Sequence, residues 1–255
     1  MMDKYNLSED WLQAMELEDT VFIQKKEKKI EKTKKVKILL AHIPETEKEL
    51  TISSSREIVE NISTIADLKE ALLNFDGCAL KFGANHTVFG AGNPNSKIMI
   101  IGEAPGATED AQGIPFCGES GKLLDNMLAS IKLSREKNFY ISNTVFWRPP
   151  ANRAPTQEEI DICKPFVEKH IAIIKPKLLI LVGATAVSSL LGNHLQISKI
   201  RQEYYQYTNK YLTEPIATTA IFHPAYLLRQ PMQKKTSWYD LLKIKDYASE
   251  IGIDI

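Results

Sequence analysis

From about Ile62 onward the apolar positions fall into two recurring patterns. Short unbroken apolar runs stand at KIMIIG (Lys97–Gly102), FYISNTV (Phe139–Val145), KLLILVG (Lys177–Gly183) and IATTAIFH (Ile216–His223). Runs of that length, ended by glycine or a polar residue, suit strands buried on both faces. Helical spacing separates them. Leu124, Met127, Leu128 and Ile131 share one helical face, and so do Ile160, Cys163, Val167, Ile171 and Ile174. Thr156 and Glu159 predict a capping box at the start of the second of these helices. Ala184–Leu191 and Trp238–Ile251 complete the set. Strands alternating with helices predict an α/β fold, with four strands in a mostly parallel sheet and right-handed crossovers.

The first sixty residues read differently. Tyr5 to Phe22 suits one short amphipathic helix, with Trp11, Leu12, Met15 and Phe22 as its apolar residues. Gln24 to Lys37 then carries eight lysines and two glutamates. Such a run cannot bury apolar area, and reads as a solvated tether ahead of a non-specific DNA arm. Residues 1–60 are therefore expected to be an appendage, and 61–255 the catalytic domain.

Composition narrows the class. The chain has 255 residues, 44% hydrophobic and 25% charged, which is ordinary for a globular protein. No apolar run is long enough to span a bilayer, and the amino terminus lacks the apolar stretch of a secretory signal. Three widely spaced cysteines make no disulfide framework, so a reduced, cytoplasmic protein is expected. The 32 basic and 32 acidic side chains cancel, which by itself argues mildly against nucleic acid. Their distribution qualifies this: Lys199 to Lys235 holds six cations against two anions.

In open parallel sheets, ligands bind beyond the carboxyl ends of the strands. The first run delivers GEAPGATED there, Asn143 sits late in the second, and His223 is expected as the last residue of the fourth. Glu103, Asn143 and His223 would thus gather on one rim. Each alone has an ordinary reading, as a solvated carboxylate, a turn brace or a core imidazole. Their joint placement favours a site. In the loop QGIPFCGESGKLL (Gln112–Leu124), Phe116 suits two roles equally: stacking on a planar base, or plugging the core. Nucleotide binding by a GxGxxG turn fits poorly, because proline interrupts the loop.

Four separated motifs, GEAPGATED, QGIPFCGESG, YISNTVFWRPPANRAPT and FHPAYLLRQP, stand in an order and spacing similar to the family-four uracil–DNA glycosylases, over about Cys78 to Trp238. That resemblance implies a three-layer α/β/α sandwich around a four-stranded parallel sheet. It also implies excision of uracil from single- or double-stranded DNA by a monomer. Phe116 then stacks on the flipped base and Asn143 reads its edge, with Gly102 beside them. Glu103 orients water or stabilises charge on the sugar, and His223 faces uracil O2. Leu227 fills the emptied stack from a loop, while Ser120 and Arg229 contact DNA.

The resemblance also implies a four-iron, four-sulfur cluster on four cysteines. Cys78 and Cys163 stand at two of those positions, but Phe75 and Trp147 stand at the others. No cofactor is therefore expected, and the two thiols should be buried among aromatics. Three alternatives stand beside uracil excision. One is excision of another deaminated base. The others are a catalytically weak DNA-damage binding module, and a nucleotide- or nucleoside-binding enzyme of the same layout.

Overall fold

The computed structural model describes residues 45–192, 195–201 and 203–255. The helix expected over Tyr5–Phe22 and the lysine-rich stretch Gln24–Lys37 lie outside them. Six strands form one sheet: β1 (Ala91–Gly92), β2 (Ile98–Gly102), β3 (Phe139–Asn143), β4 (Leu178–Val182), β5 (Tyr205–Tyr207) and β6 (Ile216–Ile221). Their spatial order is β1-β3-β2-β4-β6-β5. The four central strands, β3-β2-β4-β6, are the expected runs, and they pair in parallel. The expected sheet of four strands is thus extended to six, because β1 and β5 add antiparallel edges. With two and three residues, those edges are too short to leave a period in the sequence.

Every residue of the four central strands is buried, which requires cover on both faces. Helices in chain order are α1 (Glu45–Glu60), α2 (Ile65–Asn74), α3 (Ala107–Gln112), α4 (Glu119–Ala129), α5 (Gln157–Ile174), α6 (Ala184–Leu191), α7 (Ile197–Ile200), α8 (Pro224–Arg229) and α9 (Lys234–Glu250). Met99, Ile101, Leu179 and Leu181 pack with the apolar faces of α2, α5 and α6 in one core. Side chains alternate across a strand, so Ile98, Ile100, Leu178 and Ile180 face the opposite layer.

Helix α5 starts at the expected capping box: Thr156 Oγ1 accepts from Glu159 N at 3.2 Å, and Thr156 N donates to Glu159 Oε2 at 2.7 Å. Its expected apolar face is buried throughout. Helix α1 packs against α5 and supplies Val59 to the core, so the compact unit reaches back past residue 61. Among the described residues no helix is long and apolar enough to cross a membrane.

Candidate active site

Parallel register brings the strand ends to one rim, where Gly102 pairs with Asn143. Beyond that rim lies a cavity of about 270 Å³, lined by Glu103, Phe116, Ser120, Asn143, Arg153 and His223 among others. The three residues expected from separate strands are therefore brought together.

Phe116 closes one wall. Its ring packs so tightly over Gly102 that a Cβ there would lie 2.2 Å from Phe116 Cζ and 2.6 Å from Asn143 Oδ1. The glycine thus lets an aromatic face and an amide share one small space. Phe116 is 6% exposed and also lines the cavity. Its φ of 52° is left-handed, an uncommon and strained state for a bulky residue. Two clamps hold it. Arg135 donates to the carbonyls of Pro115 (2.7 Å) and Phe116, and pairs with Asp125 at 2.8 Å. Glu109 accepts from the N–H groups of Cys117 (3.0 Å), Gly118 (2.8 Å) and Gly106 (3.1 Å), tying the aromatic loop to the start of α3.

Asn143 ends β3 and is 1% exposed. Its Oδ1 has no hydrogen-bond partner among the described residues. A buried amide oxygen without a partner costs roughly 1–3 kcal/mol. A ligand that donates to it would recover that cost.

Glu103 follows β2 and is half-buried. Its carbonyl accepts from Thr144 Oγ1 at 2.6 Å, and its Oε2 accepts from Thr185 Oγ1 at 2.5 Å. His223 is not the last residue of a strand as expected. β6 ends at Ile221, and His223 caps α8, because Pro224 keeps it extended and opens a helix. This has a chemical consequence: His223 Nδ1 accepts from Ala225 N at 3.1 Å, which leaves the proton of the neutral ring on Nε2. Burial holds the imidazole below its ordinary range, the Glu103 carboxylate pulls against this, and Arg229 pushes it further down.

Leu227 is also not where the sequence puts it. It lies inside α8 and is fully buried, whereas a loop free to reach a duplex was expected. Arg229 is exposed in the last turn of that helix, and Ser120 lines the cavity from the first turn of α4. Thr185, Glu109 and Arg135 escaped the sequence reading. Thr185 stands just past the third strand, where the strand-end rule would have found it. Gly106 and Glu109 carry capping-box spacing.

The cysteine positions form a separate, apolar region. Phe75, Cys78, Trp147 and Cys163 are all at most 5% exposed. The Phe75 ring lies 5.1 Å from that of Phe166, and Trp147 Nε1 donates to Thr87 Oγ1 at 2.9 Å. Cys163 donates to the sulfur of Cys78. That bond draws Cys78 down, while burial pushes Cys163 up. Two thiols among packed rings do not fit a four-iron, four-sulfur cluster, which takes four thiolates.

Fold and cavity together define an α/β protein with a pocket of about 270 Å³ at the carboxyl rim of a parallel sheet. The family model of the uracil DNA glycosylase superfamily matches residues 89–243. A Type-4 uracil-DNA glycosylase of Sulfurisphaera tokodaii is 35% identical over 73% of this chain and 86% of its own. Those of Saccharolobus solfataricus (36%, covering 77% and 91%) and Thermotoga maritima (34%, covering 72% and 95%) are similar to the same extent. The chain belongs to the uracil DNA glycosylase superfamily.

Proposed function

We propose that this protein is a monofunctional uracil-DNA glycosylase of base excision repair, which flips uracil from DNA and leaves an abasic site. The orphaned Oδ1 of Asn143 carries the reading. It is a buried acceptor on a side chain that lines the cavity, next to an amide N–H₂ donor on the same group, and uracil offers the complement in N3–H and O4. Cytosine offers a bare N3 and an amino group instead. Phe116 stacks on the extruded base, and Gly102 lets the base lie close.

Breaking the N-glycosidic bond sends its electron pair onto the base and leaves positive charge on the sugar. The Nε2–H of a neutral His223 donates to the uracil anion at O2, in a pocket where such a donor is worth most. Glu103 faces the opposite charge, and steadies the sugar cation or the water whose hydroxyl adds to C1′ while its proton ends on the departed uracil anion. Flipping costs a few kcal/mol of unstacking, least in a single strand or a weak pair. Ser120 and exposed Arg229 contact phosphate. Buried Leu227 anchors α8, so the wedge for the emptied stack is assigned to its half-buried neighbour Leu228.

The donor set at Phe75, Cys78, Trp147 and Cys163 supports an enzyme that works without an iron–sulfur cluster. The protein acts as a cytoplasmic monomer on single- and double-stranded DNA, and residues 1–44 are dispensable for chemistry.

Release of free uracil from a labelled oligonucleotide, against a panel of other deaminated bases, tests the activity. Salt-dependent DNA binding with no base released would identify a binding module instead. Stoichiometric iron and sulfide in purified protein would overturn the cluster-free assignment.

A further inference from the structure

Strand β4 ends on the same rim as β2 and β3, yet the roles assigned above use nothing that it delivers. The turn that follows it is built with unusual economy. Gly183 has φ 93°, a backbone state that disfavours side chains, and a Cβ there would stand 3.1 Å from His223 Cβ. Two residues later Thr185, in the first turn of α6, donates its hydroxyl to Glu103 Oε2 at 2.5 Å. That length belongs to charge-assisted O–H···O⁻ bonds.

The backbone of Glu103 is already fixed, through the bonds from Thr144 Oγ1 at 2.6 Å and Val145 N at 3.4 Å to its carbonyl. The freedom that remains is in the side-chain torsions, and Thr185 takes it. Oε2 is thereby engaged, and Oε1 is left for the substrate. The amino end of α6 adds its partial positive charge on the same side. One short turn, residues 183–185, thus holds the carboxylate and leaves room for the His223 side chain beside it.

We propose that Thr185 is a positioning residue of the excision reaction, holding the Glu103 carboxylate in register with His223. This rests on the glycosylase reading of the pocket.

The test compares Thr185→Val, which keeps the shape and loses the hydroxyl, with Thr185→Ser, which keeps the hydroxyl. Single-turnover excision by Thr185→Val should fall by up to ~10²-fold, the scale of a misplaced reacting group. Its Kd for uracil-containing DNA should hold, and Thr185→Ser should restore most of the rate.

A second readout needs no turnover. Glu103 pulls the His223 midpoint upward against burial and Arg229, with Glu109 a weaker upward pull. A carboxylate released by Thr185→Val should therefore let the NMR-monitored His223 midpoint drop further, while Thr185→Ser leaves it in place. Rate and midpoint both unchanged in Thr185→Val would overturn the proposal. So would equal losses in both variants with no midpoint shift, since these mark a packing role. If the unmodified protein releases no uracil, the glycosylase reading falls, and the His223 midpoint still decides the placement of Glu103.

Discussion

Asn143 and Trp147 stand four residues apart on one stretch of chain, in opposite surroundings. Both are 1% exposed. Asn143 keeps an oxygen without a partner among the described residues, beside a phenylalanine held in left-handed backbone. Trp147 has its one donor satisfied by Thr87, and its ring meets Phe146 edge-on at 6.2 Å. Two histidines repeat the contrast. His170 is buried in the apolar region, stacked on Phe89 at 4.3 Å, with Nε2 at 3.1 Å from the Tyr140 hydroxyl. His223 spends Nδ1 on a helix cap and presents Nε2–H to a cavity. Burial does not distinguish a core from a site here. What does is that Asn143 and His223 line a cavity, whereas Trp147 and His170 do not.

The sharpest way to break this contrast is Trp147→Ala. Removing a large ring from packed surroundings should cost ~3–5 kcal/mol of stability. Excision per folded molecule should stay near that of the unmodified protein at low temperature. Denaturant unfolding and single-turnover assays together check it, and a matching collapse of rate would mean that the two regions are one unit.

The reverse pattern is expected of the pocket. His223→Ala should slow excision ~10²–10³-fold, equivalent to ~2.7–4 kcal/mol, equally on single- and double-stranded DNA. Asn143→Asp should lose uracil excision with DNA affinity nearly intact, because phosphate contacts supply most of that affinity. Both variants should fold, with a lower Tm from the lost α8 cap in one and the buried carboxyl in the other. A defect confined to duplex DNA would move His223 from chemistry to base flipping.

Arg135→Gln sharpens the picture inside the pocket. It loosens the two carbonyl bonds that hold Phe116 in its left-handed state, and should cost about tenfold in rate, roughly the 1.5 kcal/mol of a charged hydrogen bond. Unchanged excision would show that Glu109 suffices to fix the loop.

The gentlest measurement is a titration of the two imidazoles. Burial takes His170 down to about 3, while His223 is lowered less. Near and above pH 7 the folded and unfolded chains agree that His170 is neutral. Below about 6.5, its ordinary value, the unfolded chain takes up a proton that the folded one refuses, so this residue withdraws stability as pH falls toward 3. NMR should find His223 with the higher midpoint of the two, and the opposite order would exchange their environments.

How much of this was legible in the sequence follows from what each element needs to form. The four central strands were plain because burial on both faces demands unbroken apolar runs, and the rim followed from where those runs end. The edge strands β1 and β5 were not, since two or three residues rely on a neighbour's hydrogen bonds. Helix α1 (ETEKELTISSSREIVE) hid for a related reason. It buries Ser55 and Val59 but exposes Leu50 and Ile58, so its apolar residues do not mark its buried face. Leu227 was misplaced because a proline after a strand reads as a loop, whereas here it begins a helix whose apolar side turns inward. Thr185 stood where strand ends are expected to deliver site residues, but only the fold shows its hydroxyl bonded to Glu103.

Gly183 carries one more consequence, for how such a protein tolerates errors in its own gene. Most surface codons can drift without penalty, but this position has no neutral substitute. A single added carbon would have to occupy a backbone state that resists it, and would also crowd the imidazole. The turn that carries Thr185 would then be strained right beside His223. A chain that mends lesions in DNA thus keeps a fragile point of its own, at a residue that has no side chain to lose.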